Sequence, residues 1–475
     1  MRCRYCVRTL MIMAAVTIGP LTVSGTGLAQ TASEAPAAKP AVSPVVSPTP
    51  ALSVKPEPAA ILAPATAPAL ATAPALVAKP AKPAAAATGG LWFKKPERAL
   101  VINGLVYAVA GWTARDGGMA PTVDDRALLS LHRGRLWVRG KPYAGLTYVV
   151  HFGFDRAGGD EYALLQGGAL GLARAPALLD ARSQYQLMDG GALILTAGFF
   201  RPAVGLENNA VVPALSSHEP ALTAVLARRA SVGPGHGRAA GLNLGGRLRS
   251  GSLGVVYQLS AAAPTASGAI VDDDGATVAT YSNSSGEKAN PLVAGTLALT
   301  WGVDAFRAGH MLHLAHNYSG KTSVTLGASG SYQGATDLAA TSMVTSAFAI
   351  AHVGDLNVDG EWVKAKRAAN GTGPDAETTA WHLRAGYSLH VLDGKALLEP
   401  AVLWSQMDGD STLTGATSMK LFTGQGRVLD AALNLYLRAH KLRIAAHFIQ
   451  TTKDGAGSLP IRPGWTALVG LQVLH

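Results

Sequence analysis

Cysteine is almost absent from this sequence. Among 475 residues there are two, Cys3 and Cys6, and both lie close to the N-terminus. The remainder of the chain therefore has no disulfide, and it has no thiolate cluster that could hold zinc or an iron–sulfur centre. Exported domains often rely on disulfides, whereas a closed β-barrel satisfies its backbone hydrogen bonds without them.

Long apolar runs and charged residues are also scarce. After the N-terminal segment the sequence has no stretch of about 18 apolar residues, the minimum for a membrane-spanning helix. Charged residues make up 15% of the chain, although 48% of it is hydrophobic. This composition excludes a bundle of transmembrane helices. It favours strands in which apolar side chains alternate with small and polar ones.

Motifs of catalysis are missing too. The sequence has no Gly-x-Ser-x-Gly, no His-Glu-x-x-His and no phosphate-cradling glycine loop. Aromatic and basic residues do not cluster as they do in nucleic-acid-binding proteins. We therefore predict neither an enzyme nor a bound cofactor or metal ion, and no nucleic-acid partner.

The first 29 residues have the organisation of a secretory signal peptide. Three arginines precede and flank an apolar stretch at 9–18, and residues 27–29 (GLA) place small side chains before a predicted cleavage at Gln30. A Gly-Pro pair at 19–20 interrupts the apolar stretch before it reaches the length of a membrane anchor. Residues 1–29 are therefore predicted to direct export.

Residues 30–88 predict a disordered linker. They contain 12 of the chain's 27 prolines and are otherwise mostly Ala, Val, Ser and Thr, with ATAPAL at 65–70 repeated at 71–76. Proline at this density prevents regular helix and sheet, so an extended spacer is expected. A periplasmic tether that touches the cell wall is the alternative function for this segment.

The remaining region, 89–475, shows two-residue periodicity. The clearest strand is 381–391, which has one apolar face and one face of small, basic and hydroxyl side chains. The apolar face consists of Trp381, Leu383, Ala385, Tyr387, Leu389 and Val391, and the other of His382, Arg384, Gly386, Ser388 and His390. Asp393-Gly394 then predicts a hairpin turn. Similar alternation marks 398–405, 433–438, 442–449 and 148–155.

Strands of this kind fit either a soluble sandwich or an outer-membrane barrel. The predicted strands run to about ten residues, the length that crosses a bilayer when tilted, whereas soluble strands usually have about five or six. Arginine and histidine beside glycine and serine suit a water-filled lumen. At roughly 24 residues per strand and loop, residues 89–475 predict an all-β transmembrane antiparallel barrel of about 16 strands.

Three sets of motifs carry a more specific signal. Residues 195–207 read LTAGFFRPAVGLE, and residues 132–140 read HRGRLWVRG and run into an aromatic strand at 146–154. The third set, in the C-terminal half, consists of 355–357 (DLN), 360–362 (GEW), 385–387 (AGY) and 398–400 (LEP). In this order they resemble the phosphate-selective porin O/P family across nearly all of 95–475.

The resemblance implies a trimeric porin of about 16 strands with inward-folded loops and a ladder of basic residues that draws phosphate or polyphosphate to a constriction. Arg133 matches the second arginine of the family's paired motif, and Arg201 matches the lysine of its signature. Two positions depart from the pattern. His132 replaces the first paired arginine, and residues 218–220 (HEP) replace a glutamate–arginine pair. These departures weaken the expectation of phosphate specificity.

The charge of the predicted barrel is weakly positive. Residues 1–88 hold seven of the 40 basic residues and two of the 30 acidic ones, which leaves a formal charge of +5 on 89–475. Placement matters more than the total, because the low-dielectric wall of a pore focuses the field of the charges that line it. We predict an anion path lined by Arg133, Arg135, Arg201, Arg228, Arg229, Arg384 and Arg443. The alternative for any one of them is a structural ion pair across the barrel wall.

The sequence thus predicts passive diffusion of small hydrophilic solutes across the outer membrane, with anions preferred and phosphate or polyphosphate as candidate solutes. The expected partners are the lipid bilayer, further copies of the chain in a homotrimer, and small anions. Two alternatives stay open. One is a weakly selective general-diffusion porin, and the other is a structural barrel protein that anchors the envelope through the linker.

Overall fold

The computed structural model of the chain describes most of the barrel region. The described residues are 99–116, 123–154, 177–209, 215–233, 237–264, 267–271, 277–282, 290–302, 322–336, 339–369, 375–409, 424–437, 441–454, 461 and 463–474. The predicted signal peptide and linker lie outside them and stay predictions.

The described strands close into one antiparallel barrel of 16 strands, which confirms the predicted fold. The first seven are β1 (Ala99–Asp116), β2 (Val123–Tyr143), β3 (Leu146–Gly153), β4 (Ala177–Met188), β5 (Leu193–Phe200), β6 (Ala239–Ser250) and β7 (Leu253–Ala263). The others are β10 (Leu292–Gly302), β11 (Ser323–Gln333), β12 (Thr341–Val353), β13 (Leu356–Ala368), β14 (Ala376–Tyr387) with β15 (Leu389–Val391), β16 (Ala396–Asp408), β17 (Gln425–Tyr436), β18 (Leu442–Asp454) and β19 (Gly464–Leu474). Between β7 and β10, β8 (Ser267–Val271) and β9 (Thr277–Ser282) form a separate hairpin.

The first and last strands close the ring. Leu105 lies opposite Leu474 and Arg115 opposite Gly464 in the β1–β19 ladder. Each barrel strand is therefore hydrogen-bonded on both sides, so its backbone presents no open edge to lipid. Among the described residues, no helix is long and apolar enough to cross a membrane.

The break between β14 and β15 has a local cause. Both parts pair with β16, and the pairs on either side of the break share one register, which places Pro400 opposite Tyr387. Proline has no N–H to donate to the ladder. On the other side of the strand, towards β13, the N–H of Ser388 donates to the carbonyl oxygen of Asp355 at 2.8 Å, so the chain stays paired there. We therefore count β14 and β15 as one barrel strand.

Side-chain burial alternates along the strands as the sequence predicts. On β14, Leu383 is 51% exposed and Tyr387 47%, whereas His382 and Arg384 are 3% exposed each. The same alternation runs along β12 and β18. The exposed face is the apolar one, as expected for a barrel surrounded by lipid rather than a sandwich in water.

Connections differ between the two ends of the barrel. At one end, two residues suffice to join β2 to β3, β6 to β7 and β12 to β13. The connection from β15 to β16, at the same end, contains the predicted turn, with φ of 55° at Asp393 and 79° at Gly394. The connection from β5 to β6, residues 201–238, starts at the opposite end. Outer-membrane barrels usually place short turns at the periplasmic end and long loops at the outer end.

Candidate functional site

We call residues 201–238 the inner loop, and its described parts, 201–209, 215–233 and 237–238, fold into the barrel. The described stretches 202–209 and 215–219 are buried, and so is most of the helix α1 (Leu222–Val232). Gly198, which is still paired within β5, and Gly205, at the bend of the inner loop, have φ values of 124° and 80° that favour glycine. A Cβ at position 198 would meet the carbonyl oxygen of Ala181 at 2.3 Å. The signature-like segment 195–207 therefore forms the entrance of the inner loop.

Glu207 fixes the start of α1 to the barrel wall. One of its carboxylate oxygens accepts a hydrogen bond from the N–H of Ala221 at 2.8 Å, and the other forms an ion pair with Arg384 of β14. A carboxylate is favoured at the N-terminus of a helix, where the backbone dipole is positive. The N–H of Leu222 donates to Oγ of Ser405 on β16, at 3.0 Å.

Apolar side chains of α1 pack against the inward face of the wall. Leu222, Val225 and Leu226 share one buried cluster with residues of β12, β13, β16 and β18, namely Val344, Val363, Met407 and Ile449. Burial of a Val or Leu side chain contributes about 1.5–3 kcal/mol, so these contacts stabilise the docked loop. Part of the lumen is therefore a packed core, as the inward-folded loops implied by the family resemblance allow.

Glu361 of β13 provides another attachment for the inner loop. Its Oε1 accepts hydrogen bonds from the N–H of Leu206 at 2.7 Å and from Oγ of Ser346 at 2.6 Å. The N–H of Gly205 donates to Oγ of Ser329 on β11, at 2.7 Å. Backbone groups at the bend of the loop are thus satisfied by side chains of the wall.

The tip of the inner loop, residues 215–220, is held by β2, β17 and β18. Arg443 donates to the carbonyl oxygen of Leu215 at 2.6 Å, and Arg133 donates to that of His218 at 2.7 Å. The N–H of His218 donates to Oδ2 of Asp430, at 2.7 Å. The two arginines therefore act on loop backbone, and not on a free part of the lumen.

Five arginines of β2, β4 and the inner loop keep an exposed fraction. We call them the arginine ladder: Arg135, Arg139, Arg182, Arg201 and Arg228. In the sheet register Arg139 lies opposite Val149, which lies opposite Arg182, so these positions share one row. Arg135 is on the same face of β2, roughly 13 Å along the strand from Arg139. Positive charge is thereby distributed along the lumen.

Trp137 also lies on this face of β2. Its ring stacks on that of His151, with centroids 4.7 Å apart and an interplanar angle of 23°. An aromatic residue among the arginines of 133–139 could suggest that this face of β2 is turned towards lipid. The contact with His151 shows that Trp137 lies inside the barrel. The face shared by Arg135 and Arg139 is therefore the inward one.

The side chains of Arg201 and Arg228 both donate hydrogen bonds to Asn208. Nη1 of Arg201 donates to the carbonyl oxygen of Asn208 at 3.1 Å, and Nε of Arg228 donates to its side-chain oxygen. Within the described part of the chain, neither guanidinium has an ion pair, and Nε of Arg201 and Nη2 of Arg228 have no hydrogen-bond acceptor. The two charges are therefore not locally neutralised.

Burial is the main cause of the shifted pKa values of this pair. Burial lowers the pKa of Arg228 to about 10, although Glu207 opposes the shift. Burial, and then the guanidiniums of Arg228 and Arg238, lower the pKa of Arg201 well below its ordinary value. Groups held in this way favour a nearby negative charge. An anion that enters between them would offset their repulsion.

One carboxylate balances part of the site. Asp180 of β4 pairs with Nε of Arg238 at 3.1 Å and with Nδ1 of His151 at 2.9 Å. Arg182, two residues further along β4, interacts electrostatically with Asp180 and also with Arg238 and Arg139. Several cations of the site therefore share few acids: Asp180 acts on Arg182 and Arg201, whereas Glu207 and Glu219 act on Arg228.

The arginines of the predicted anion path divide into groups by their surroundings. Arg135, Arg201 and Arg228 belong to the arginine ladder. Arg133, Arg384 and Arg443 point inward but are 3%, 3% and 0% exposed, and each binds the inner loop. Arg229 is 7% exposed, and its carbonyl oxygen accepts a hydrogen bond from Arg367 at 3.3 Å. Whether these residues conduct anions stays a prediction.

Arg182 and Arg238 are absent from the sequence-based prediction. On β4 the register shifts beside Leu179, so the strand does not keep the two-residue periodicity that identifies inward positions. Arg238 immediately precedes β6, where no alternation has begun. The sequence does contain one signal for an inward face here, since the charged residues Asp180 and Arg182 are two positions apart.

Replacement of Gly205 by alanine is expected to destabilise the docked inner loop by about 1–2 kcal/mol, because a side chain at positive φ is strained. The new Cβ would also lie 3.2 Å from Oε1 of Glu361 and 3.3 Å from the side chain of Ala227. Gly190→Ala is the matched control, since φ there is 70° and a Cβ would meet nothing within 4 Å. The free energy of unfolding in detergent should fall more for Gly205→Ala; equal losses would contradict close packing at this bend.

Comparison with protein families gives one match. The profile of the family described as phosphate-selective porin O and P matches residues 115–462. None of the curated protein sequences matches the chain. The family match covers most of the barrel, including the inner loop and the strands from β2 to β18.

Solved structures share the architecture at low sequence identity. An anion-selective porin from Comamonas acidovorans aligns with a TM-score of 0.50 and 13% identity, covering 80% of this chain and 100% of that chain. OmpF of Salmonella typhi, in complex with daunomycin, gives 0.48 and 12%, covering 79% and 97%. The outer membrane channel DcaP of Acinetobacter baumannii gives 0.46 and 12%, covering 81% and 99%.

At these identities the likeness to the Comamonas porin concerns the fold. The family match concerns the sequence itself, and it extends over well more than half of the chain. The chain therefore belongs to the phosphate-selective porin O and P family and is a porin of the outer membrane.

Proposed function

We propose that this porin lets small anions diffuse passively through the outer membrane, with phosphate among its solutes. The observation that carries the proposal is the pair of Arg201 and Arg228, which share Asn208 and have no ion-pair partner among the described residues. Two guanidiniums at one point of the lumen form an attractive site for an anion with several oxygens. Passive diffusion requires no energy source and no catalytic step.

The rest of the arginine ladder supports transit as well as binding. Arg135, Arg139 and Arg182 offer further positive groups on the same side of the lumen. An anion can then move between several sites of moderate affinity, and it passes through the pore because no single site binds it tightly. The family is described as phosphate-selective, and the Comamonas relative as anion-selective, which agrees with this proposal.

Arg133, Arg384 and Arg443 have a different role in this proposal. Each is almost fully buried and binds the inner loop, so we assign them to holding the loop that carries Arg201 and Arg228. Their replacement would alter selectivity indirectly, through the position of the loop. This narrows the sequence-based prediction, in which Arg133 lines the path itself.

We also propose that the porin assembles as a homotrimer, as the family resemblance implies. The alternatives predict different behaviour. A general-diffusion porin would conduct with little charge preference, whereas a structural anchoring protein would conduct poorly although folded. Light scattering of the purified protein, corrected for bound detergent, measures the number of copies.

Single-channel recording in a planar bilayer tests the proposed function. Under a potassium chloride gradient we expect conductance steps whose reversal potential lies on the chloride side. Phosphate at millimolar concentration is expected to block the chloride current, because it competes for the arginine pair. Anion preference without block would remove phosphate from the proposal. A reversal potential near zero would favour general diffusion, and no steps from folded protein would favour the anchoring role.

A further inference from the structure

A cluster of metal-ligating side chains joins the tip of the inner loop to β2. His132, His218 and Glu219 each offer one ligand atom, and these atoms lie within 4.8 Å of one another. The side chains are buried, with exposed fractions of 3%, 5% and 8%. The sequence contains no metal-binding motif because only the fold brings His132 next to the tip.

We propose that this cluster binds a divalent transition metal ion of the Zn²⁺ type, which clamps the inner loop to the barrel wall. Two imidazoles and one carboxylate are a common ligand set for zinc, with water in the fourth position. Imidazole-rich sites favour zinc, copper and nickel over magnesium or calcium. The site is separate from the arginine ladder and does not depend on the proposed anion path.

Neighbouring groups orient the ligands. Nδ1 of His218 shares a hydrogen bond with Oη of Tyr107 at 3.2 Å, which leaves Nε2 available for a metal ion. Nδ1 of His447 lies 2.9 Å from Oδ1 of Asp430, in the arrangement that commonly supports a metal-bound histidine. Its buried Nε2 has no hydrogen-bond partner in the described structure, and its ring lies 5.5 Å from that of His218. His447 is thus a candidate fourth ligand.

The charges around the cluster are compatible with a dication. Oε2 of Glu219 faces Arg133 at 3.5 Å, whereas Oε1 faces Nε2 of His132 at 3.6 Å. An ion between the histidines would therefore use Oε1 and leave the contact with Arg133 in place. Asp430 contributes a second negative charge through its contacts with His218 and His447.

Binding requires a small adjustment of side chains. The rings of His132 and His218 stack with centroids 4.1 Å apart and an interplanar angle of 29°. A tetrahedral zinc ion with bonds of about 2.0–2.1 Å holds its ligand atoms about 3.3 Å apart. The ligand atoms must therefore approach by at most about 1.5 Å, which rotation about side-chain torsions can supply.

Calorimetric titration tests the proposal on the full chain, purified in detergent and freed of metal with EDTA. We expect one Zn²⁺ per chain, and at least tenfold weaker binding in His132→Gln and in His218→Gln. His352→Gln is the control. His352, near the end of β12, is also a buried histidine of the lumen, but its side chain is hydrogen-bonded to Asn357 of β13. Its affinity for Zn²⁺ should equal that of the unmodified protein.

Unchanged Zn²⁺ affinity in the variant that lacks both His132 and His218 would overturn the proposal. So would the absence of saturable binding to the unmodified protein. If the variants fail to fold, Co²⁺ provides a second measurement on the unmodified chain. Tetrahedral coordination by nitrogen and oxygen gives intense visible absorption that Zn²⁺ abolishes, whereas only the weak spectrum of hydrated Co²⁺ would contradict the site.

Discussion

Joint replacement of Arg201 and Arg228 by glutamine is expected to abolish the anion preference of the channel. Both guanidiniums contact Asn208 and lack an ion pair among the described residues, so they place two positive charges at one point of the lumen. A hydrogen bond to a charged group contributes about 1.5–3 kcal/mol, so loss of both should weaken phosphate block about 100-fold or more. The reversal potential in a potassium chloride gradient should move towards zero.

Arg427→Gln is the matched control for this pair. Arg427 is exposed on the outward face of β17, where it alternates with the buried Val428. Its replacement removes the same charge outside the lumen, so selectivity and phosphate block should stay unchanged. A double variant that folds correctly and retains both properties would show that anions do not pass by Arg201 and Arg228.

Replacement of Glu207 by glutamine is expected to release the inner loop from the wall. The carboxylate pairs with Arg384 and accepts the N–H of Ala221, and the Glu207 side chain is 0% exposed. Removal of one partner of a buried ion pair costs up to about 3–5 kcal/mol, and Arg384 then keeps only its longer contact with Asp359, at 3.7 Å. Denaturant titration in detergent should show this loss, and single-channel currents should become larger and noisier.

Two further variants test whether loss of the Glu207–Arg384 ion pair causes the destabilisation. Lys364→Gln disrupts an ion pair with Glu377 of 2.6 Å whose side chains are 37% and 45% exposed, and it should cost no more than about 1 kcal/mol without altering conductance. The double variant Glu207→Gln with Arg384→Met should be less destabilised than Glu207→Gln alone, since it also removes the buried arginine whose ion pair with Glu207 is lost. Equal destabilisation in the single and double variants would contradict a role for the ion pair.

The barrel itself could be predicted because its signals are local. On β14, alternation of Leu383 and Tyr387 with His382 and Arg384 identifies the two faces without knowledge of any neighbour. Strand length then separates a membrane barrel from a soluble sandwich. The segment 195–207 could be recognised from its resemblance to the family signature, and the structure places its end at the start of the inner loop.

The candidate site could be predicted only in part because it depends on contacts between distant strands. The alternation of inward and outward side chains along β2 is interrupted at His132. Leu131 and Arg133 pair with successive residues of β1, so His132 is an extra residue between them. Both His132 and Arg133 therefore point inward, a result that strict alternation does not allow. Which arginines stay accessible is likewise decided by the docking of α1, and not by any pattern within their own strands.

Crystals soaked in sodium bromide and examined by anomalous diffraction would test the anion path most directly. Bromide replaces chloride and reports its own position without reference to conductance. We expect an anomalous peak within hydrogen-bonding reach of both Arg201 and Arg228, with weaker peaks along Arg135, Arg139 and Arg182. Bromide bound elsewhere in the lumen with none at the arginine pair, or an inner loop lying outside the barrel, would contradict the proposed path.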